Sequence, residues 1–369
     1  MVKQILMRIF SSSLDAFKVY KLSMIKFDEC GNYTDMSLDG DSLSLKGCEW
    51  LEESTFMATI IHHLTCLQQI EIYGFLSAVS FQANCLPKSL QKMEITKCRK
   101  LEFSQQQHKY DLVELQIKEN CDSLVSLSLN AFPNLKTLLI EECSNLESIT
   151  MSEPPHTALQ SLTISWCRKL VSITEGGLAA PNLTHLCVKF CDKLKALPCK
   201  MDTLLPNLQS LDIEYCYGIS RFPEGGLPPT LKELHMRGCE GLLRGLSSIG
   251  KLEALTDLVI NGYPCERIIK SFPEVGLLSQ LPSLTTLEIR NFEDLETLEC
   301  NELLRLTSLQ HLQIQFCEKL ENMAGDKLPS SLLLLQIEYC PLLGEHCRNK
   351  HQHVWPKIQH IPTIEFEDS

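Results

Sequence analysis

Hydrophobic residues along this chain recur in a fixed frame, LxxLxIxxCxxL, whose copies follow one another at a period of about 24 residues. The clearest copies are LQSLTISWCRKL from Leu159, LTHLCVKFCDKL from Leu183, LKELHMRGCEGL from Leu231 and LQHLQIQFCEKL from Leu309. Variants start at Leu67, Leu90, Leu112, Leu135, Leu208, Leu255, Leu284 and Leu332, which makes twelve units separated by steps of 22 to 29 residues. Two weaker frames precede them: LSMIKFDECGNY from Leu22, and a run holding Leu43, Leu45, Cys48 and Leu51. Within a unit the second Leu and the Ile alternate with polar neighbours, as at Leu162 and Ile164 or Leu211 and Ile213. That is the period-2 signature of a short strand with one buried face. Gly and Pro clusters such as EGGLAAPNL (175–183) and FPEGGLPPTL (222–231) then break the strand and predict an irregular return.

One strand and its return cannot fold alone, because ordering the backbone costs about 1–2 kcal/mol per residue and a single coil has too few apolar groups to bury. Stacking coils merges those groups into one continuous core and pairs the strands in parallel. The pattern therefore predicts an α/β leucine-rich-repeat solenoid (horseshoe), with parallel strands on the concave face and irregular or short-helical returns on the convex face. Residues 1–63 are expected to be degenerate repeats or a fragment edge, 64–345 the array of about twelve units, and 346–369 a capping segment. In that cap Trp355, Ile358, Ile361 and Ile364 would shield the last coil. The longest step, from Leu255 to Leu284, carries YPCERIIKSFPEVGLLSQLP and predicts a bulge on the convex side.

Composition narrows the chemistry. Apolar residues are 44% of the 369 but aromatics only 7%, so the core is aliphatic. A formal charge of −12 argues against tracking a nucleic-acid backbone, and the cluster Lys97, Arg99 and Lys100 is too small to reverse it. No run of about 18 apolar residues predicts a membrane span. MVKQILMRIFSSS makes a poor secretory signal, and the sequons at Asn32 and Asn182 are short enough to arise by chance. The 18 cysteines then read as reduced, buried thiols of a cytoplasmic protein, with the nucleus as the second location. Eight occupy the ninth position of the frame: Cys98, Cys143, Cys167, Cys191, Cys216, Cys239, Cys317 and Cys340. Leucine-rich repeats often place Asn there to satisfy backbone groups where the strand turns away, and Cys is a small substitute that tolerates burial. Successive members fall a whole coil apart and no Cys-x-x-Cys occurs, so no zinc or redox site is expected.

Other motifs fail on inspection. GLSSIGK (245–251) matches a phosphate loop up to its lysine, but Leu252 stands where Ser or Thr would hold magnesium. Cys340, His346, Cys347, His351 and His353 crowd together in a polar tail better read as solvated histidines. Without a Ser-His-Asp or Cys-His-Asn constellation, no catalysis, cofactor or metal is expected. The residue before the ninth-position Cys is aromatic at Trp166, Phe190, Tyr215, Phe316 and Tyr339. The first three lie in consecutive coils and should stack along the rim, either as packing between coils or as anchors for a partner. The remaining candidates for partner contact flank each strand's buried pair: Lys92 and Glu94, Glu114 and Lys118, Thr163, His185 and Lys189, Asp212 and Glu214, His235 and Arg237, Glu288 and Arg290, His311 and Gln313, and Gln336 with Glu338.

The repeated frame, FPEGGLPPTLKEL (222–234) and the ending LQIEYCPLLGEHC followed by WPKIQHIPTIEFED together resemble the C-terminal repeat region of plant intracellular nucleotide-binding, leucine-rich-repeat disease-resistance receptors. The ending is most like the coiled-coil subclass, and the resemblance runs from about Leu64 onward. It implies protein recognition in innate immunity: sensing a pathogen effector or a modified host protein, or restraining a nucleotide-switch domain. The family's nucleotide binding is not implied, since the GLPP at 226–229 belongs to the repeat and no intact phosphate loop is present. A second expectation, a substrate adaptor of an SCF-type ubiquitin ligase, rests on the Cys-containing repeats of F-box proteins. Its usual Ile-Thr-Asp helical continuation is replaced here by CRKLVSI and CEKLENM.

Overall fold

The computed structural model describes residues 25–27, 34–39, 42–46, 67–75, 79–81, 86–103, 109–246, 252–263 and 269–367. Two compact units emerge, Met1–Leu159 with Trp166–Arg168, and Gln160–Ser165 with Lys169–Ser369. The first contains β1 (Ile25–Phe27), β2 (Thr34–Asp39), β3 (Ser42–Lys46), β4 (Gln69–Tyr73), β5 (Val79–Phe81), β6 (Lys92–Thr96), β7 (Leu101–Phe103), β8 (Glu114–Lys118), β9 (Ser126–Ser128), β10 (Thr137–Glu141) and β11 (Ser148–Thr150). Its main ladder runs β1-β2-β3-β4-β6-β8-β10, parallel from β3 onward, while β1, β2 and β3 pair antiparallel.

The second unit contains β12 (Ser161–Ser165), β13 (Ser172–Ile173), β14 (His185–Lys189), β15 (Ser210–Glu214), β16 (Glu233–Arg237), β17 (Asp257–Asn261), β18 (Ser271–Phe272), β19 (Thr286–Arg290), β20 (Thr297–Glu299), β21 (His311–Gln315), β22 (Asn322–Ala324), β23 (Leu334–Glu338) and β24 (Thr363–Glu367). Its ladder, β12-β14-β15-β16-β17-β19-β21-β23-β24, is parallel throughout. The chain is a parallel-strand, leucine-rich-repeat solenoid with little helix. Each of the twelve sequence frames supplies one five-residue strand, beginning two residues after its first Leu.

Register explains why the frame repeats so strictly. Leu186 faces Leu211, which faces Leu234, and Val188, Ile213 and Met236 align beside them, so aliphatic rows run across the coils. In the coil that starts at Leu183, the residues Leu183, Leu186, Val188, Cys191 and Leu194 are all fully buried. Burying each such aliphatic side chain contributes about 1.5–3 kcal/mol. A hydroxyl placed just before the first Leu ties neighbouring coils together. Ser89 donates to the Leu67 carbonyl at 2.7 Å and Ser331 to that of Leu309 at 2.7 Å.

The returns are more ordered than Gly and Pro content suggested. They carry short helices, among them Met201–Leu204, Cys300–Leu303 and Pro341–Arg348. They also form small parallel sheets of their own: β5 with β7, β9 with β11, and β18-β20-β22. In the long step after Leu255, β18 joins the last of these, while residues 264–268 lie outside the described residues, as do 247–251 of the phosphate-loop-like stretch. Most of residues 1–63 also lies outside them. Near the other end Val354, Ile358 and Ile361 are buried, and the segment then enters the ladder itself as β24.

Candidate recognition surface

The corner where each strand gives way to its return organises the exposed surface. Strict alternation would send the eighth residue of the frame inward and the ninth outward. The opposite is observed, because the eighth residue takes left-handed backbone angles: φ is 57° at Lys97, 54° at Glu142, 57° at Trp166, 54° at Phe190, 51° at Tyr215, 54° at Phe316 and 53° at Tyr339. One such residue reverses the facing, so the eighth side chain stands on the rim and the ninth-position Cys enters the core. The corner N–H still extends the ladder, from Phe190 to the Glu214 carbonyl at 2.8 Å and from Tyr215 to that of Arg237 at 2.7 Å.

The cysteines perform the task expected of them. The thiol of Cys216 donates to the Glu214 carbonyl at 3.4 Å and to Val188 of the preceding coil at 3.5 Å; Cys239 does the same to Arg237 at 3.3 Å and Ile213 at 3.7 Å. Burial pushes Cys98, Cys167 and Cys239 up to about 12, which keeps them protonated at neutral pH. Cys121 belongs to the same row, although frame counting missed it. Its coil has one extra residue at the corner, where both Glu119 and Asn120 are left-handed (φ 47° and 53°), so Cys121 arrives one position late yet fully buried.

Left-handed angles cost an L-residue about 1–2 kcal/mol, and Gly or Asn adopts them most easily. Those residues do occupy some corners, as Gly74, Gly238 and Asn291. Their presence in the eighth column was the sequence signal that could have revealed this geometry. Elsewhere aromatics stand in the same place. Phe190 and Tyr215 stack with centroids 4.8 Å apart and planes at 19°, and Phe316 and Tyr339 at 4.6 Å and 3°. Trp166 is 37% exposed, with the Arg168 guanidinium 5.8 Å from its ring centre. Gly238 completes the first stack: a Cβ there would come within 2.7 Å of the Tyr215 ring.

The outward strand residues mostly engage one another. In the first unit Lys92 pairs with Glu114 and Lys118 with Glu94, each at 2.9 Å and about one-third exposed. In the second, the Lys189 ammonium bridges Asp212 at 2.6 Å and Glu214 at 3.0 Å, and Arg237 approaches Glu214 at 3.3 Å. Glu214 is only 7% exposed although it lies on the outward side of its strand. Burial opposes the charge on Lys189, but its hydrogen bonds to Asp212 and Glu214 prevail and raise its pKa. His235 lies in register beside Asp212, His185 is exposed with Nδ1 2.8 Å from the Thr184 hydroxyl, and Thr163 is half-buried on β12. Glu288 and Arg290 pair with each other on β19. Towards the end of the ladder Gln313 donates to Glu338 at 2.8 Å, Gln315 also donates to Glu338, and Gln336 donates to Glu365 at 2.8 Å, while His311 is exposed.

The candidates are thus gathered into local clusters on an open strand face. The fullest, at the ends of β14, β15 and β16, joins the Phe190–Tyr215 stack to the Lys189–Asp212–Glu214–Arg237 network. Among the described residues no group of three or more His, Cys, Asp or Glu side chains is placed to hold a metal, and no helix is long and apolar enough to cross a membrane. His346 stacks on His351 at 4.5 Å, and its Nδ1 lies 2.9 Å from the Glu321 carbonyl.

No protein-family model matches the sequence. A disease resistance protein of Arabidopsis thaliana is 30% identical over 354 residues, which are 94% of this chain and 24% of that protein. The chain resembles the leucine-rich-repeat region of plant disease-resistance proteins. A second Arabidopsis thaliana protein, an RPP13-like disease resistance protein, is 40% identical over 67 residues, 17% of this chain and 6% of that one. The chain therefore spans less than a quarter of the length of either relative. Among solved structures, an internalin from Listeria monocytogenes matches at 13% identity, covering 89% of this chain and 82% of that one with a TM-score of 0.30. A circular leucine-rich-repeat protein matches at 14% identity, 90% and 60% coverage and a TM-score of 0.31. Values this low add nothing to the fold, which rests on strand register.

Proposed function

We propose that the chain is a non-catalytic protein-recognition module of plant innate immunity, working inside the cell, whose strand face binds a pathogen effector, a modified host protein or the switch domain of a nucleotide-binding receptor. The observation that carries this reading is the cluster at the ends of β14, β15 and β16, where two stacked aromatics occupy backbone positions that Gly or Asn would fill at lower cost. They flank a charge network held in place by its own ion pairs. Aromatic and Arg side chains in fixed positions are the usual energetic centres of protein interfaces. The similarity to disease resistance proteins over 94% of the chain supports the biological setting.

The test is capture of partners from challenged plant tissue by the wild-type chain and by Phe190→Ala/Tyr215→Ala, with mass spectrometry. The expected outcome is that the double variant keeps its thermal melt while recovering about tenfold less of the principal partner. Equal recovery by a folded double variant removes this cluster from the function.

A further inference from the structure

The last strand of the second unit ends its ladder. β24 pairs with β23 along one edge, and among the described residues nothing pairs with the other. Its inward residues show the same asymmetry. Leu335 and Ile337 on β23 are fully buried, whereas Ile364 and Phe366, directly in register with them, remain half-exposed. Backbone N–H and C=O groups along such an edge are a template for a further strand.

The outward side is uncompensated in charge. β21, β23 and β24 read HLQIQ, LLQIE and TIEFE, with no Lys or Arg among them. Farther back in the unit, Asp212 and Glu214 hold Lys189 and Arg237, and Glu288 holds Arg290. At the edge, Glu338 and Glu367 face each other in register, Glu365 is exposed with only Gln336 donating to it, and Glu367 has no cationic partner among the described residues. Like charges directly opposite across strands destabilise the pairing, and a cation in the next strand would relieve them.

We propose that the free edge of β24 accepts, as the next parallel strand, an extended segment of a partner protein in which basic and aliphatic residues alternate. The aliphatic residues cover Ile364 and Phe366 and continue the core rows. The Lys or Arg residues stand beside Glu365 and Glu367. Main-chain hydrogen bonds supply affinity and the alternation supplies register, as in other strand additions. A second copy of this chain fits less well, because its own β24 carries the same two glutamates, Glu365 and Glu367, and no Lys or Arg to stand beside them. This inference stands apart from the proposed recognition cluster on β14–β16, and neither depends on the other.

The experiment uses the full chain and a fluorescein-labelled heptapeptide alternating lysine and valine, read by anisotropy at moderate salt. Saturable binding is expected. The same peptide with its backbone nitrogens methylated keeps its charge but cannot pair as a strand, and is expected to lose the binding. This control separates edge pairing from general attraction to a chain of net charge −12. Glu365→Lys/Glu367→Lys is expected to weaken the unmodified peptide about tenfold or more, and hydrogen exchange at residues 363–367 to slow when the peptide is present. Equal binding of the methylated peptide overturns the proposal without requiring any variant to fold. So does unaltered affinity in the charge-reversed chain, or a chain dimer that dissociates only when this edge is altered.

Discussion

Most strand corners of the two units share one backbone conformation, Gly262 being an exception, and they carry different side chains. In the first unit Gly74, Lys97, Glu119, Glu142 and one aromatic, Trp166, occupy it, and Lys97 is tied to Tyr73 at 2.8 Å and Glu119 at 2.9 Å. In the second, Phe190 with Tyr215 and Phe316 with Tyr339 occupy it as stacked pairs, separated in sequence by Gly238 and Asn291. Ion pairs diverge in parallel. Those along the strands of the first unit are pairwise with both partners about one-third exposed or less, whereas Lys189 joins two carboxylates, one of them nearly buried. The inward rows must match from coil to coil, since each packs on the next. The rim has no such obligation, so identical backbone geometry can present unlike surfaces.

The sharpest way to break this comparison is through the inward rows, where the units are expected to respond alike. Ile117→Ala and Ile213→Ala each remove a fully buried side chain and should each cost about 2–5 kcal/mol, read from urea denaturation. A variant costing under 1 kcal/mol would mean that its unit tolerates a cavity the other does not. Lys189→Met comes next, leaving Glu214 without its ammonium partner at a cost of about 1–3 kcal/mol. Because its folded-state pKa is raised, the contribution of Lys189 is fully present below the ordinary lysine value of about 10.4 and is lost only as pH rises through the higher folded value. The destabilisation by Lys189→Met should therefore be the same at pH 6 and pH 8.

Smaller effects are expected at the rim. Tyr215→Asn forfeits a stack worth about 0.5–1.5 kcal/mol but relieves a left-handed backbone costing about 1–2 kcal/mol, so the net change in stability should lie between a loss of about 0.5 and a gain of about 1.5 kcal/mol. A loss of several kcal/mol on calorimetry would instead make that ring part of the core. Lys92→Met in the first unit should be smallest of all, below about 0.5 kcal/mol, because its partner Glu114 stays about one-third exposed and can be solvated by water, unlike Glu214. Should it equal Lys189→Met, the contrast between the two networks has no energetic content.

Much of the fold was legible because the frame is both periodic and chemically narrow. Leu, Ile and Cys at fixed offsets allow only a short strand with one buried side, and a unit too small to fold alone requires parallel stacking. The sequence by itself determined the twelve strands and the aliphatic rows, because both follow from spacing within one coil, whereas spacing alone would have turned the ninth-position cysteines outward. It did not reveal the left-handed corner, although Gly74, Gly238 and Asn291 hinted at it, nor that Cys121 rejoins the row past the extra Asn120. Tertiary structure alone decided which outward residues meet. Lys189 lies about 25 residues from Asp212 and Glu214 along the chain, and only parallel register at about 4.8 Å between strands makes them neighbours. Inward contacts repeat and can be read from one coil; outward contacts form between coils and depend on which residue the register places alongside.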